Sequence, residues 1–237
     1  MSPEVRVVHR DAALLVLDKP SGLPTTSPPG GDLALTDVAA RLDPDAPSLH
    51  ASSRLDAEVT GLVTFVRTRP ANRALLDARA AGTYRRRYLA LAPSAPEPPA
   101  SSWASAIGTD PRDKRKRRVV EGDGKAALTR YETVAALSNV ALLALRPETG
   151  RTHQLRVHAA EAGIPLLGDV HYGGAKRVVL SDGRVVTARR VMLHCARLSL
   201  PDVARGSGTL ELKADVPEDF RRVFAALGGD LDLLEGR

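Results

Sequence analysis

The stretch Pro147-Glu148-Thr149-Gly150-Arg151-Thr152-His153-Gln154-Leu155-Arg156-Val157-His158 leads out of a β-like segment and into a predicted helix. The helix is predicted over Thr152–Ala162, because glycine and proline stop signals follow it. Two β-like runs, Ala126–Ala136 and Val140–Leu145, precede the stretch and are separated by the turn residues Ser138-Asn139. The stretch therefore joins a predicted β-hairpin to a helix, as is typical of α+β folds.

Short strands and few helices are predicted on either side of this stretch. Asp182-Gly183 lies between two valine pairs in Arg177–Thr187, which is a strong hairpin signal. Thr68 and Pro70 predict the start of a helix that runs to about Arg79. Further strands are predicted over Val5–Val8, Leu14–Leu17, Gly61–Val66, Tyr84–Ala92 and Val191–Leu200, with helices near Leu35–Leu42 and Pro217–Leu227. Because strands outnumber helices without alternating with them, we predict an α+β fold with a mixed, mostly antiparallel central sheet flanked by helices and loops.

The composition is that of an ordinary globular protein. The chain has 237 residues, of which 43% are hydrophobic and 26% charged, so a disordered polymer is excluded. We predict a single domain over residues 1–237. No apolar run is long enough to cross a membrane and the start does not resemble a signal peptide, so we expect a cytoplasmic protein. The single cysteine, Cys195, excludes a disulfide framework, and the histidine spacings match no zinc motif, so we expect no metal.

The charge balance favours a polyanionic partner. Lysine and arginine total 34 against 28 acidic residues, a formal net charge of +6. Aromatic residues make up only 3%, which argues against a sheet that stacks successive bases of a single strand. The densest basic run contains Arg112, Lys114, Arg115, Lys116, Arg117 and Arg118. Such runs bind nucleic-acid phosphates, although they are also typical of solvated faces.

Two clusters carry groups suited to catalysis. Arg54 and Asp56 lie in a short loop before a predicted buried strand, where reactive groups are often placed, although a surface ion pair has the same pattern. The second cluster contains Arg151, His153, Gln154 and Arg156 around a helix entry, and these side chains can together hold phosphates or neutralise a carboxylate.

Six ordered motifs resemble the RluA-like family of pseudouridine synthases, from about residue 5 to about residue 220. They are Leu17–Leu23, Arg54-Leu55-Asp56 with Thr60-Gly61, Arg86–Ala90, Gly124–Thr129, Gly150–His158 with Gly163–Gly173, and Leu193–Leu198. The chain departs from the family pattern at Ser53, where His is usual, and at Val59-Thr60, where Thr-Ser is usual. Asp18 and Arg86 replace Asn and Lys. The changes at Ser53 and Val59-Thr60 alter the loop around Asp56 but leave Arg54 and Asp56 in place.

The resemblance implies a pseudouridine synthase catalytic fold and an isomerase that acts on RNA without a cofactor or metal. The glycosidic bond of a uridine would be cleaved, the uracil rotated and the bond remade through carbon. Asp56 would be the catalytic carboxylate, as a nucleophile at the sugar or the base or as a base at the sugar. Arg156 would pair with Asp56, with Arg151 as the alternative, and Tyr88 would lie against the uracil. The implied RNA-binding residues are Arg54, which would fill the space of the flipped base, with Arg151, His153, Gln154 and the basic run Arg112, Lys114, Arg115, Lys116, Arg117 and Arg118.

The target and the assembly stay open at this point. Ribosomal RNA and transfer RNA are both compatible with the sequence, and we expect a monomer with no obligate protein partner. The first motif begins within twenty residues of Met1, so no appended N-terminal RNA-binding domain is expected. One alternative is a non-catalytic RNA-binding protein that retains the synthase fold. Another is a hydrolase or nuclease that uses Asp56 and the histidines and needs a metal or a second carboxylate nearby.

Overall fold

The structure is a computed structural model that describes residues 4–27, 31 and 33–235. Its strands are β1 (Arg6–Arg10), β2 (Leu14–Lys19), β3 (His50–Ala51), β4 (Thr60–Val66), β5 (Arg85–Ala92), β6 (Ala100–Thr109), β7 (Arg117–Val119), β8 (Lys125–Leu137), β9 (Val140–Pro147), β10 (Arg177–Val179), β11 (Val185–Thr187), β12 (Leu193–Pro201) and β13 (Thr209–Lys213). Its helices are α1 (Leu35–Leu42), α2 (Arg69–Ala80), α3 (Gln154–Glu161), α4 (Glu218–Ala226) and α5 (Asp232–Glu235), with a 3₁₀ turn over Val170–Tyr172. The predicted α+β class with a mixed, mostly antiparallel sheet is confirmed.

The chain divides into two compact units. The described parts of Met1–Arg86 and Cys195–Asp215 form the first unit, and those of Arg87–His194 and Val216–Arg237 form the second. The single domain expected from the sequence stays a prediction. No helix of the described residues is long and apolar enough to cross a membrane.

The first unit is built on two buried apolar strands. β2 and β4 pair in antiparallel fashion, with Leu17 opposite Val63. Every residue of β4 is buried, and the strand carries no charged side chain. The strand order in this unit is β1-β2-β4-β12, with β3 added to β4 and β13 added to β12. Helix α2 begins as predicted, because the Thr68 hydroxyl accepts a hydrogen bond from the N–H of Ala71 at 3.2 Å.

The second unit carries the strand order β5-β9-β8-β6-β7. The hairpin predicted around Ser138-Asn139 is confirmed, since β8 and β9 pair from Leu137 opposite Val140 outward. The Arg177–Thr187 hairpin is confirmed as the separate pair β10 and β11. These hairpins follow directly from their turn residues.

Some elements differ from the sequence expectation. β6 was not predicted, because its Ala- and Ser-rich sequence contains few of the β-branched residues that mark strands. β13 was also missed. Helix α3 starts at Gln154, two residues later than predicted, because His153 has the left-handed backbone conformation with φ of 57°.

Candidate active site

The loop that carries Arg54 and Asp56 is anchored through the residue between them. Leu55 is buried, and its N–H donates to the hydroxyl oxygen of Thr25 at 3.0 Å. The Thr25 hydroxyl donates to the carbonyl oxygen of Leu55 at 2.8 Å. The central residue is therefore held inside, whereas Arg54 is exposed and Asp56 is partly exposed.

A fully buried lysine holds the segment after Asp56. The Lys19 ammonium donates to the carbonyl oxygens of Pro20 at 2.9 Å, Leu23 at 2.7 Å and Ala57 at 2.9 Å. Its relative exposure is 0%. The ammonium therefore ties the Leu17–Leu23 motif to the residue that follows Asp56, and it offsets the cost of burying three carbonyl groups.

We expect Lys19→Met to lower the free energy of unfolding by about 2–3 kcal/mol, because buried carbonyls lose their donor. Chemical denaturation with urea measures this change. Lys125→Met is the matched control, since Lys125 is exposed on β8, and it should behave like wild type. Equal stability of the two variants would show that Lys19 does not support the loop.

The residues that depart from the family pattern have defined partners. Ser53, in the place of the usual His, accepts a hydrogen bond from the N–H of Thr64 at 2.9 Å. The Arg79 guanidinium donates to the Ser52 hydroxyl oxygen at 3.0 Å and lies 4.3 Å from the centre of the Tyr84 ring. The Tyr84 hydroxyl is 3.0 Å from the Thr64 hydroxyl. Hydrogen bonds therefore connect the loop to β4 through Thr64 and to α2 through Arg79.

Gly61 permits close approach between two strands of the first unit. Its φ is +110°, and a Cβ atom there would lie 2.3 Å from the backbone oxygen of Cys195. Only glycine satisfies both conditions. This explains the Thr60-Gly61 pair behind the Asp56 loop.

In the second unit, Arg156 forms a buried ion pair with Asp169. The guanidinium Nε donates to Oδ2 and Nη2 donates to Oδ1, both at 2.7 Å. The side chains are 7% and 0% exposed. Gly168 makes this possible, because its φ is +78° and a Cβ would lie 1.8 Å from the carbonyl oxygen of Arg190. The sequence analysis did not anticipate Asp169 in this role, and the pairing of Arg156 with Asp56 stays a prediction.

Gln154 is buried at the junction between β9 and α3. Its amide nitrogen donates to the carbonyl oxygen of Leu128 and the hydroxyl oxygen of Thr129, each at 3.0 Å. Its amide oxygen accepts from the Thr149 hydroxyl at 2.7 Å and the Arg151 N–H at 3.0 Å. Both donors and both acceptor positions are used. Gln154 therefore holds the helix entry to the preceding hairpin.

A histidine on the same helix also faces inward. The Nδ1 atom of His158 lies 2.9 Å from the Thr129 hydroxyl. Burial lowers the pKa of His158, so the ring is neutral at physiological pH. His158 therefore packs inside and links α3 to β8 through Thr129.

The basic run lies on the hairpin formed by β6, β7 and the connecting residues 110–116, which we call the basic hairpin. Exposed cations on it are Arg112, Lys114, Arg115 and Arg118, and Lys116 and Arg117 are half-buried. The Arg115 guanidinium, 2.9 Å from the carboxylate of Asp113, lowers the pKa of Asp113 to about 2. The Arg117 guanidinium donates to the carbonyl oxygens of Lys114 at 2.9 Å and Lys116 at 2.8 Å. Arg117 thereby shapes the turn, and the exposed cations face solvent.

The other predicted site residues of the second unit vary in exposure. Arg151 is exposed, and its Nε donates to the carbonyl oxygen of Ala126 at 3.0 Å. Tyr88 is 4% exposed and lies on β5 opposite Leu145. The Nδ1 atom of His153 lies 2.6 Å from the Tyr172 hydroxyl oxygen. Among the described residues, no group of three or more His, Cys, Asp or Glu side chains could hold a metal ion.

The predicted residues are thus divided between the units. Arg54 and Asp56 belong to the first, and the other predicted site residues belong to the second. Within the second unit, the structure gathers Arg117, His153 and Arg156 around Tyr172. Lys19, Thr25 and Asp169 were not predicted as supports of the site. Lys19 lies in the Leu17–Leu23 motif and Asp169 in the Gly163–Gly173 motif, and this was the only signal in the sequence for either residue. Thr25 lies in neither motif.

The sequence of this chain is similar to those of RNA pseudouridine synthases. A sequence profile described as RNA pseudouridylate synthase matches residues 13–161. An uncharacterized RNA pseudouridine synthase of Zymomonas mobilis is 35% identical over 91% of this chain and 95% of its own length. The dual-specificity RNA pseudouridine synthase RluA of Escherichia coli is 32% identical over 92% of this chain and 95% of its own. The ribosomal large subunit pseudouridine synthase D of Xanthomonas campestris is 34% identical over 95% of this chain and 70% of its own.

A solved structure has the same fold. The human RNA pseudouridylate synthase domain containing 4 matches with a TM-score of 0.72 and 26% identity. The match covers 94% of this chain and 92% of the human one.

Proposed function

The chain belongs to the RNA pseudouridylate synthase family, and from this premise we propose that it isomerises specific uridines of ribosomal or transfer RNA, with Asp56 as the catalytic carboxylate. Membership of this family makes the chain an RNA isomerase. The roles of single residues and the identity of the target RNA are what we propose. The observation that carries the proposal is the anchored loop, in which Leu55 is buried and Asp56 is accessible. A carboxylate fixed in this way is pre-organised for a single reacting group.

The reaction needs one bond broken and one formed. The bond between the sugar C1′ and uracil N1 breaks, the uracil turns, and C1′ bonds to C5. The C5 proton leaves and N1 gains one, so the overall change is an isomerisation. Asp56 would act as a nucleophile at the sugar or the base, or as a base at the sugar. Each route requires an ionised carboxylate, next to the ribose in the two sugar routes and next to the uracil in the base route.

We assign Arg156 to the stabilisation of Asp56, with Arg151 as the alternative. The buried pair with Asp169 holds the guanidinium of Arg156 in one plane. Tyr88 would lie against the uracil, with its hydroxyl as a proton-transfer group.

RNA binding would depend on cationic side chains and on base flipping. Extrusion of the target uridine costs a few kcal/mol, which protein contacts must offset. Arg54 is exposed beside Asp56, and we propose that it fills the vacated space. The exposed cations of the basic hairpin and Arg151 would contact phosphates, whereas His153 and Gln154 would act by shaping the helix entry.

The class of target RNA is proposed from the relatives. One relative is named for the ribosomal large subunit and another for dual specificity. Both names concern RNA targets of related enzymes, and we extend that range to this chain. Monomeric state and cytoplasmic location stay predictions.

Pseudouridine mapping across total RNA tests the proposal. Cells with and without the gene are compared, and wild-type protein is returned on a plasmid. We expect one or a few uridines to lose modification and to regain it with wild type. If no site changes, RNA binding without turnover becomes the better account of this chain.

A further inference from the structure

We propose that Tyr172 is a positioning residue that couples RNA on the basic hairpin to Arg156. The inference rests on the proposed function, because it assumes that the hairpin binds RNA and that Arg156 serves the reaction. It is carried by three contacts that meet at one side chain. The contacts join Tyr172 to two segments of the second unit, the basic hairpin through Arg117 and the start of α3 through His153 and Arg156.

The hydroxyl group joins the hairpin to the entry of α3. It accepts a hydrogen bond from the backbone N–H of Arg117 at 3.0 Å. The same oxygen lies 2.6 Å from the Nδ1 atom of His153, which has the left-handed backbone just before α3. A single hydroxyl thus connects residues 36 positions apart.

The ring of Tyr172 connects this pair to the buried ion pair. The guanidinium carbon of Arg156 lies 5.0 Å from the ring centre, within the range of a cation–π contact. The N–H of Tyr172 donates to the carbonyl oxygen of Asp169 at 3.1 Å, and the Asp169 carboxylate binds Arg156. Movement of the tyrosine would therefore disturb both partners of the ion pair.

The hairpin depends on this tyrosine because β7 is short. β7 has three residues and ends the strand order of its unit. Val119 of β7 and Tyr172 pack against the same buried residues, Ile107, Ala127 and Val157. A short edge strand gains little from its own pairing, so the contact with Tyr172 matters for the position of the turn.

Loss of the hydroxyl and loss of the ring should have different kinetic effects. Tyr172→Phe removes the hydrogen bonds to the hairpin and to His153 but keeps the ring on Arg156. We expect KM for RNA to rise about fivefold, with kcat close to wild type, because the hairpin loses its hydrogen bond to the tyrosine. Tyr172→Leu also removes the ring, and we expect kcat to fall about tenfold. A merely structural role would lower the active fraction without separating KM from kcat.

Tyr131→Phe is the matched control. Tyr131 is a tyrosine of the same unit that stacks on Trp103, with ring centres 4.4 Å apart. Its conservative replacement should leave KM and kcat at wild-type values. If Tyr172→Phe has the KM of Tyr131→Phe, or if the leucine variant retains full kcat, the coupling proposal is wrong.

Hydrogen exchange tests the coupling without any turnover. An unmodified transfer RNA transcript is used as the probe, because phosphate contacts do not depend on sequence. In wild type we expect the transcript to slow amide exchange in residues 110–118 and also in residues 165–174. In Tyr172→Phe we expect slower exchange in the hairpin alone. Equal protection of both segments in the two proteins would refute the coupling.

The two proposals fail in distinguishable ways. Absence of turnover on every RNA, with the exchange pattern as expected, would contradict the proposed function and retain the coupling. Normal turnover by the wild type, with identical kinetics for Tyr172→Phe, would retain the proposed function and overturn the coupling.

Discussion

Asp56→Asn is expected to lower the rate of pseudouridine formation by about a hundredfold to ten-thousandfold. This is the range that a catalytic acid–base group contributes. The amide has the shape of the carboxylate but neither its charge nor its nucleophilicity. Leu55 would still be held by Thr25, so the loop should keep its conformation. Affinity for RNA should therefore be close to wild type.

Single-turnover assays on the RNA identified by mapping measure this change. Glu58→Gln is the matched control, since Glu58 is an exposed carboxylate two residues further along the same loop. That control should react at the wild-type rate. Substantial turnover by Asp56→Asn, or an equal loss in Glu58→Gln, would remove Asp56 from the catalytic role. In cells, Asp56→Asn should fail to restore the missing pseudouridines.

The second large effect concerns stability. Asp169→Asn is expected to lower the free energy of unfolding by about 3–5 kcal/mol, because it leaves the buried Arg156 guanidinium without its carboxylate. For a chain of this size, that corresponds to a fall of about 10 °C in Tm. Arg156 should also lose its fixed orientation, so activity should fall among the molecules that remain folded.

Thermal and urea unfolding measure the loss. Asp182→Asn provides the control, because Asp182 pairs with Arg184 on an exposed hairpin of the same unit. That variant should unfold like wild type. The double variant that combines Arg156→Met and Asp169→Leu should recover much of the stability, because no buried charge remains. A stable Asp169→Asn protein would contradict the view that the Arg156 guanidinium needs the Asp169 carboxylate as its buried partner.

Local sequence patterns predicted many of the elements. The Ser138-Asn139 and Asp182-Gly183 turns both form hairpins, and Thr68 begins helix α2. These features depend on the conformational preferences of a few neighbouring residues. β6 was not predicted, since its strand conformation comes from pairing with β8 and not from its own composition.

The candidate site was predictable to a similar degree. Ordered motifs identified the loop with Asp56 and the helix with Arg156, because those residues lie in recognisable local contexts. The supports of these residues come from further away in the chain. Lys19 reaches Ala57 across 38 positions, and Thr25 reaches Leu55 across 30. No periodicity of the sequence connects such pairs.

By itself, the sequence determined the family and the class of reaction, and it indicated the charged residues of the candidate site. The tertiary structure alone decided which groups meet: Asp169 on Arg156, Tyr172 on Arg117, and three carbonyls on the buried Lys19. The physical reason is that local conformation depends on neighbouring residues, whereas a long-range contact depends on the path of the whole chain. Burial then decides how strongly each contact acts, because a charge removed from water must have its partner.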